Sequence, residues 1–116
     1  MDAFQNAAEG LMSIILDLTA IEPKEVREVT ITGEDPDQLL VKWLSEILYL
    51  YDGQGFVCRD FLIVNLNSKK LRAVVRGESF SRKKHRTKLD VKAVTYHQLS
   101  VQENQHGAVV RVFFDI

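Results

Sequence analysis

Asp35-Pro36-Asp37-Gln38-Leu39-Leu40-Val41-Lys42-Trp43-Leu44-Ser45-Glu46-Ile47-Leu48-Tyr49-Leu50-Tyr51-Asp52-Gly53 decides the fold, because the hydrophobic period changes directly after it. Asp35 is placed as an N-cap, Pro36 fits the first helical position, and Gln38 stands where a capping box needs it. Leu40, Trp43, Leu44, Ile47, Leu48 and Tyr51 then recur at three- and four-residue steps, which makes one apolar helix face. Lys42 and Glu46 are spaced as an i,i+4 pair on the opposite face. Asp52-Gly53 is the expected stop, with Gly53 supplying a left-handed cap.

Beyond Gly55 the pattern is extended. Phe56 to Asn65 is rich in Phe, Val, Leu and Ile, Asn67-Ser68-Lys69 reads as a turn, and Leu71 to Glu78 returns as a second strand. In the returning strand Leu71, Ala73 and Val75 alternate with Arg72, Val74 and Arg76, so the two strands form a hairpin. A strand from Val91 to about Val101, a polar turn at Glu103 to Gly107 and a closing strand from Ala108 complete the chain. Upstream, Phe4, Ala7, Ala8, Leu11, Ile15 and Leu18 predict a helix over residues 2–18, and Glu22-Pro23 ends it before a strand at Val26 to Thr32. Helices precede a run of strands, so the fold class is α+β: two main helices packed on a largely antiparallel sheet.

With 116 residues and 46% apolar content, the chain is expected to be a single domain, 1–116, that buries one core. The net charge of −1 gives no global field toward nucleic acid or a membrane. Cys58 stands alone among Phe56, Val57 and Phe61, so a buried small hydrophobe in a reducing cytoplasm is its expected role. No apolar run approaches the ~20 residues of a spanning helix, and no membrane partner is expected.

Catalysis finds no support in the residue pattern. A nucleophile would need a histidine and a carboxylate beside it. Thr95 and Tyr96-His97 adjoin on a strand, where neighbours point to opposite faces. His85 and His106 lie in loops without ligand spacing, and Gly53-Gln54-Gly55 follows a helix instead of opening one. The dense cluster Arg82-Lys83-Lys84-His85-Arg86-Thr87-Lys88 can meet phosphates, yet no aromatic residue is interleaved for base stacking. It reads as a solvated loop or as a rim that meets a partner carrying RNA.

The last stretch, Val109-Val110-Arg111-Val112-Phe113-Phe114-Asp115-Ile116, is apolar and β-branched up to its final carboxylates. Most termini are frayed. This one is built to pair in a sheet, which would set the Asp115 side chain beside the α-carboxylate of Ile116. Two such anionic groups suit a hard cation, Ca²⁺ or Mg²⁺. The plainer reading makes Asp115 the polar stop of the last strand.

Three stretches resemble the archease family: Lys92-Ala93-Val94-Thr95-Tyr96-His97 with the terminal Asp115-Ile116, Leu39 to Tyr49, and Asp2 to Leu11. The resemblance covers essentially the whole chain. It implies a small α+β protein without catalysis of its own, which activates the GTP-dependent RNA ligase of tRNA splicing and RNA repair by aiding guanylylation and multiple turnover. It also implies a divalent metal, Ca²⁺ in the family, on Asp115 and Ile116. Lys92, Tyr96 and His97 would support that site or touch the ligase, and Arg82, Lys83, Lys84 and Arg86 would lie near RNA bound by the ligase. The family's opening strand carries a His-Thr-Ala-Asp motif whose aspartate is a further ligand, and that motif is missing here. The expectation is a chain N-terminally truncated relative to the family, through a start codon set too far downstream or a shortened member. The competing reading is a stand-alone chaperone-like or RNA- and protein-binding module without a ligase.

Overall fold

The structure is a computed structural model. It describes residues 2–88, 91, 93–104 and 107–115, with Asp2 and the segments 93–104 and 107–115 described as backbone. The elements run α1 (Asp2–Ile15), β1 (Glu25–Thr32), α2 (Pro36–Asp52), β2 (Phe56–Leu66), β3 (Lys70–Ser79), β4 (Ala93–Asn104) and β5 (Gly107–Asp115). All described strand pairs are antiparallel, in one sheet of order β1-β3-β2 and a separate β4-β5 hairpin. Both helices pack on the three-stranded sheet. In addition, α2 meets β4 and α1 meets β5.

The core forms where the helical and strand periods bring apolar residues to that interface. Phe4, Ala8, Leu11, Met12 and Ile15 of α1 are buried, as are Leu40, Trp43, Leu44 and Ile47 of α2. They lie in one cluster with Leu71, Ala73 and Val75 of β3, the alternating positions that the sequence assigns inward. In contact with both the three-stranded sheet and β4, α2 also buries Leu39, Val41, Leu48 and Leu50. Trp43 Nε1 donates to the carbonyl of Phe4 at 3.0 Å, so its indole is sealed without an orphaned N–H. Its ring meets Phe61 edge to face at 6.3 Å.

Several local expectations are corrected. The first helix stops at Ile15 instead of residue 18, because Leu16 bridges to Thr87 and the Asp17 carboxylate accepts from the Thr19 amide at 3.0 Å. That local side-chain bond competes with helix continuation and opens a 3₁₀ turn, Leu18–Ala20. Asp35 caps α2 by accepting from the Gln38 amide at 2.8 Å, as expected. Gln38 Oε1 accepts from the Glu34 amide at 2.6 Å, one residue upstream of the position a capping box uses. Lys42 does not pair with Glu46; its ammonium donates to the Thr32 carbonyl at 3.0 Å. Gly53 is right-handed at φ −92°, and the left-handed residue is Gly55 at φ +63°.

The β2–β3 hairpin turns as expected, with the Asn67 side chain accepting from the amides of Lys69 and Lys70 at 2.9 Å each. β4 begins at Ala93 and continues past Val101 to Asn104. Cys58 is fully buried, and desolvation pushes its thiol up to about 12 against the opposing pull of Arg27. It is inert packing at neutral pH, as its neighbours imply. Among the described residues no helix is long and apolar enough to cross a membrane.

Candidate functional site at the strand terminus and the basic loop

Strand register joins two pieces that lie far apart in sequence. Ala93 pairs with Asp115, Val94 with Phe114 and Thr95 with Phe113. The start of the Lys92–His97 motif therefore lies across from the carboxylate end of β5. The pairing resumes only at Ser100 opposite Arg111, so Tyr96 to Leu99 faces Val112 alone. Such an irregularity breaks the ladder and re-aims the strand, as bulges beside functional sites do. Lys92 and Ile116 lie outside the described residues, and Tyr96, His97 and Asp115 are described as backbone only. Asp115 with a terminal carboxylate is a hard-oxygen donor set, which suits Ca²⁺ or Mg²⁺ in kind. Among the described residues no group of three or more His, Cys, Asp or Glu side chains is arranged to hold a metal.

The basic loop is built around two residues that the sequence pattern does not single out. Glu78, at the end of β3, and His85, inside the loop, are both buried. The Ser81 amide donates to His85 Nδ1 at 2.9 Å. The ring proton consequently sits on Nε2, aimed at Glu78 Oε2 at 2.9 Å. Glu78 also accepts from the Glu22 amide at 2.9 Å. Lys84 Nζ lies 2.9 Å from Glu78 Oε2 and 3.1 Å from Glu22 Oε1, and Lys24 lies 3.6 Å from Glu78 Oε1. The Lys84 hydrogen bond, opposed by desolvation and aided by the Glu22 amide and His85, holds the Glu78 carboxyl down at about 2. The same contact, against desolvation, raises the Lys84 ammonium.

The cluster Arg82-Lys83-Lys84-Arg86 is therefore split. Lys84 turns into the network, while Arg82, Lys83 and Arg86 are exposed and make no ion pair among the described residues. The only trace of the network in the sequence is Gly77-Glu78, two successive buried positions where strict alternation would put one outward. A Cβ at Gly77 would lie 1.8 Å from the Val57 carbonyl oxygen, so glycine lets β2 approach closely where its register shifts between Cys58 and Asp60.

The chain matches the Archease protein family over residues 1–116. It is 40% identical to the archease of Saccharolobus islandicus over 116 residues, covering 99% of this chain and 84% of that protein. With the archease of Pyrococcus abyssi it shares 38% identity over 109 residues, covering 91% of this chain and 77% of that one. The solution structure of protein 1598 of Methanobacterium thermoautotrophicum superposes with a TM-score of 0.69 at 27% identity, covering 96% of this chain and 83% of that one. The crystal structure of an archease from Thermotoga maritima, described as a possible chaperone, has the same fold with a TM-score of 0.64 at 18% identity over 100% of this chain and 85% of that one. By sequence and by fold, this chain belongs to the archease family.

Proposed function

We propose that this protein is a non-catalytic cofactor that activates a GTP-dependent RNA ligase, aiding its guanylylation and multiple turnover in tRNA splicing and RNA repair. The observation that supports this reading is the register of β4 and β5, which sets Ala93 of the Lys92–His97 motif opposite Asp115. Asp115 and the α-carboxylate of Ile116 would hold a divalent cation, Ca²⁺ or Mg²⁺. Once bound, the cation supplies a positive charge that hard phosphate oxygens can share. The chain's own part is to present that edge, with Lys92, Tyr96 and His97 around it, to the ligase. A partner activates only by binding the competent state preferentially. Reconstitution with purified ligase tests the proposal. Asp115→Ala should abolish stimulation and the calorimetric signal for Ca²⁺ while the chain still folds. Equal stimulation by wild type and variant would refute the role of the terminus, and no stimulation by wild type would refute the ligase reading itself.

A second reading, a chaperone-like module, is favoured by one feature. Val26, Leu62 and Val64 are more than half exposed, at 57%, 58% and 54%, on the face of the three-stranded sheet that the helices leave open. Suppression of aggregation of an unrelated unfolded protein, lost in Leu62→Ser, would favour this reading over the ligase partner.

A further inference from the structure

Beside the buried network lies an open groove of about 540 Å³ lined by Tyr51, Phe80, Arg82, His85, Arg86 and Thr87. Its position answers the objection that the basic loop has no aromatic residues for stacking. Tyr51 arrives from the end of α2 and Phe80 from the end of β3. Their rings meet edge to face at 5.5 Å, and His85 stacks on Phe80 at 5.7 Å with 23° between the planes. The His85 ring is fixed at both nitrogens, by the Ser81 amide and by Glu78, so this wall is rigid.

The charge at the groove is one-sided. Glu78 and Glu22 are compensated by Lys84 and Lys24, and among the described residues no carboxylate lines the groove itself. Arg82 and Arg86 are left with uncompensated guanidinium groups among the described residues. Guanidinium is the side chain best shaped for the oxygens of a phosphate, and an aromatic ring face beside it suits a nucleobase. The volume is within the range of small-ligand sites. A bare oxyanion would make no use of the aromatic wall, and an acidic peptide would offer it nothing flat.

We propose that this groove binds single-stranded RNA directly, with a backbone phosphate on Arg82 and Arg86 and a base against Tyr51 and Phe80. The site requires neither the terminal carboxylates nor a metal, so it stands or falls independently of the ligase reading.

Fluorescence anisotropy with a labelled single-stranded oligoribonucleotide, in chelator and without ligase, tests the proposal. Wild type should bind the single strand more tightly than an RNA duplex of equal charge. Arg82→Gln with Arg86→Gln should weaken binding about tenfold or more and reduce the salt slope by about 1.4, the contribution of two single-strand phosphate contacts. Tyr51→Leu should weaken binding fivefold or more with the slope unchanged, because it removes stacking and no charge. Should Tyr51→Leu fail to fold, the arginine pair, which lies on the surface, and the duplex comparison decide alone. No binding by wild type, or unchanged binding by the arginine variant, overturns the proposal. So does equal binding of single strand, duplex and an acidic peptide of matched charge, which would make the loop an unselective cationic patch.

Discussion

His85 Nε2 lies 2.9 Å from Glu78 Oε2, with both side chains closed off from water, although His85 belongs to the most densely basic stretch of the chain. The pair anchors the loop to the end of β3. Replacing His85 with Ala leaves the Ser81 amide without its acceptor, while Glu78 Oε2 keeps the Glu22 amide and Lys84. It should cost about 1–3 kcal/mol for the one orphaned group, read as a lower urea midpoint. A variant as stable as wild type would show that water replaces the ring without penalty.

Acid should act through the same carboxylate. Glu78 is held down at about 2 from its ordinary 4.5, so the folded state favours the ionised form. Its contribution to stability is complete above the ordinary value and disappears as pH falls from about 4.5 through about 2. The stability gap between wild type and Glu78→Gln should therefore be constant near neutrality and shrink across that window. A gap that is flat from neutral to acid pH contradicts the assignment.

Neighbouring lysines should behave differently. Lys84→Met removes the nearer of the two lysines that face both Glu78 and Glu22 and should lower the melting temperature measurably. Lys83→Met touches nothing of the kind and should stay within about 0.5 kcal/mol of wild type. Equal effects at the two positions would show that the loop is uniformly solvated.

Two glycines should respond with opposite signs. Gly77→Ala forces a methyl against the Val57 carbonyl oxygen and should destabilise by about 1–3 kcal/mol or more. Gly10 lies within α1, where a Cβ meets nothing within 4 Å among the described residues, so Gly10→Ala should stabilise by about 0.5–1 kcal/mol. Calorimetric melting of both variants checks the pair.

What the sequence made legible was local. Asp35 before Pro36 marks the start of α2, and the change of period after Gly55 marks the β2–β3 hairpin, because capping and side-chain alternation are set by near neighbours. Where tertiary contacts compete, local rules gave the wrong detail. Lys42 prefers the Thr32 carbonyl to Glu46, and Gly53 stays right-handed with its amide on the Tyr49 carbonyl while Gly55 takes the left-handed position. The burial of Glu78 and His85 was not readable, since a charged residue in a polar loop normally faces water. Nor was the aromatic wall, because Tyr51 belongs to a helix remote from the loop in sequence. The proximity of Ala93 to Asp115 follows from β4–β5 register, which alternation alone does not fix.

The loop is also tied down at its far end. Thr87 bridges to Leu16, and the Lys88 amide donates to the Ile15 carbonyl at 2.6 Å. A segment whose composition resembles a disordered basic tail is thus fastened at both ends to the helix and strand on either side of it. Tails of that composition lose about 1–2 kcal/mol per residue in backbone freedom when a ligand orders them. Here that loss has already occurred during folding. A ligand meets a prepared surface, and amide hydrogen exchange at His85 and Lys88 should be slow even in the free protein.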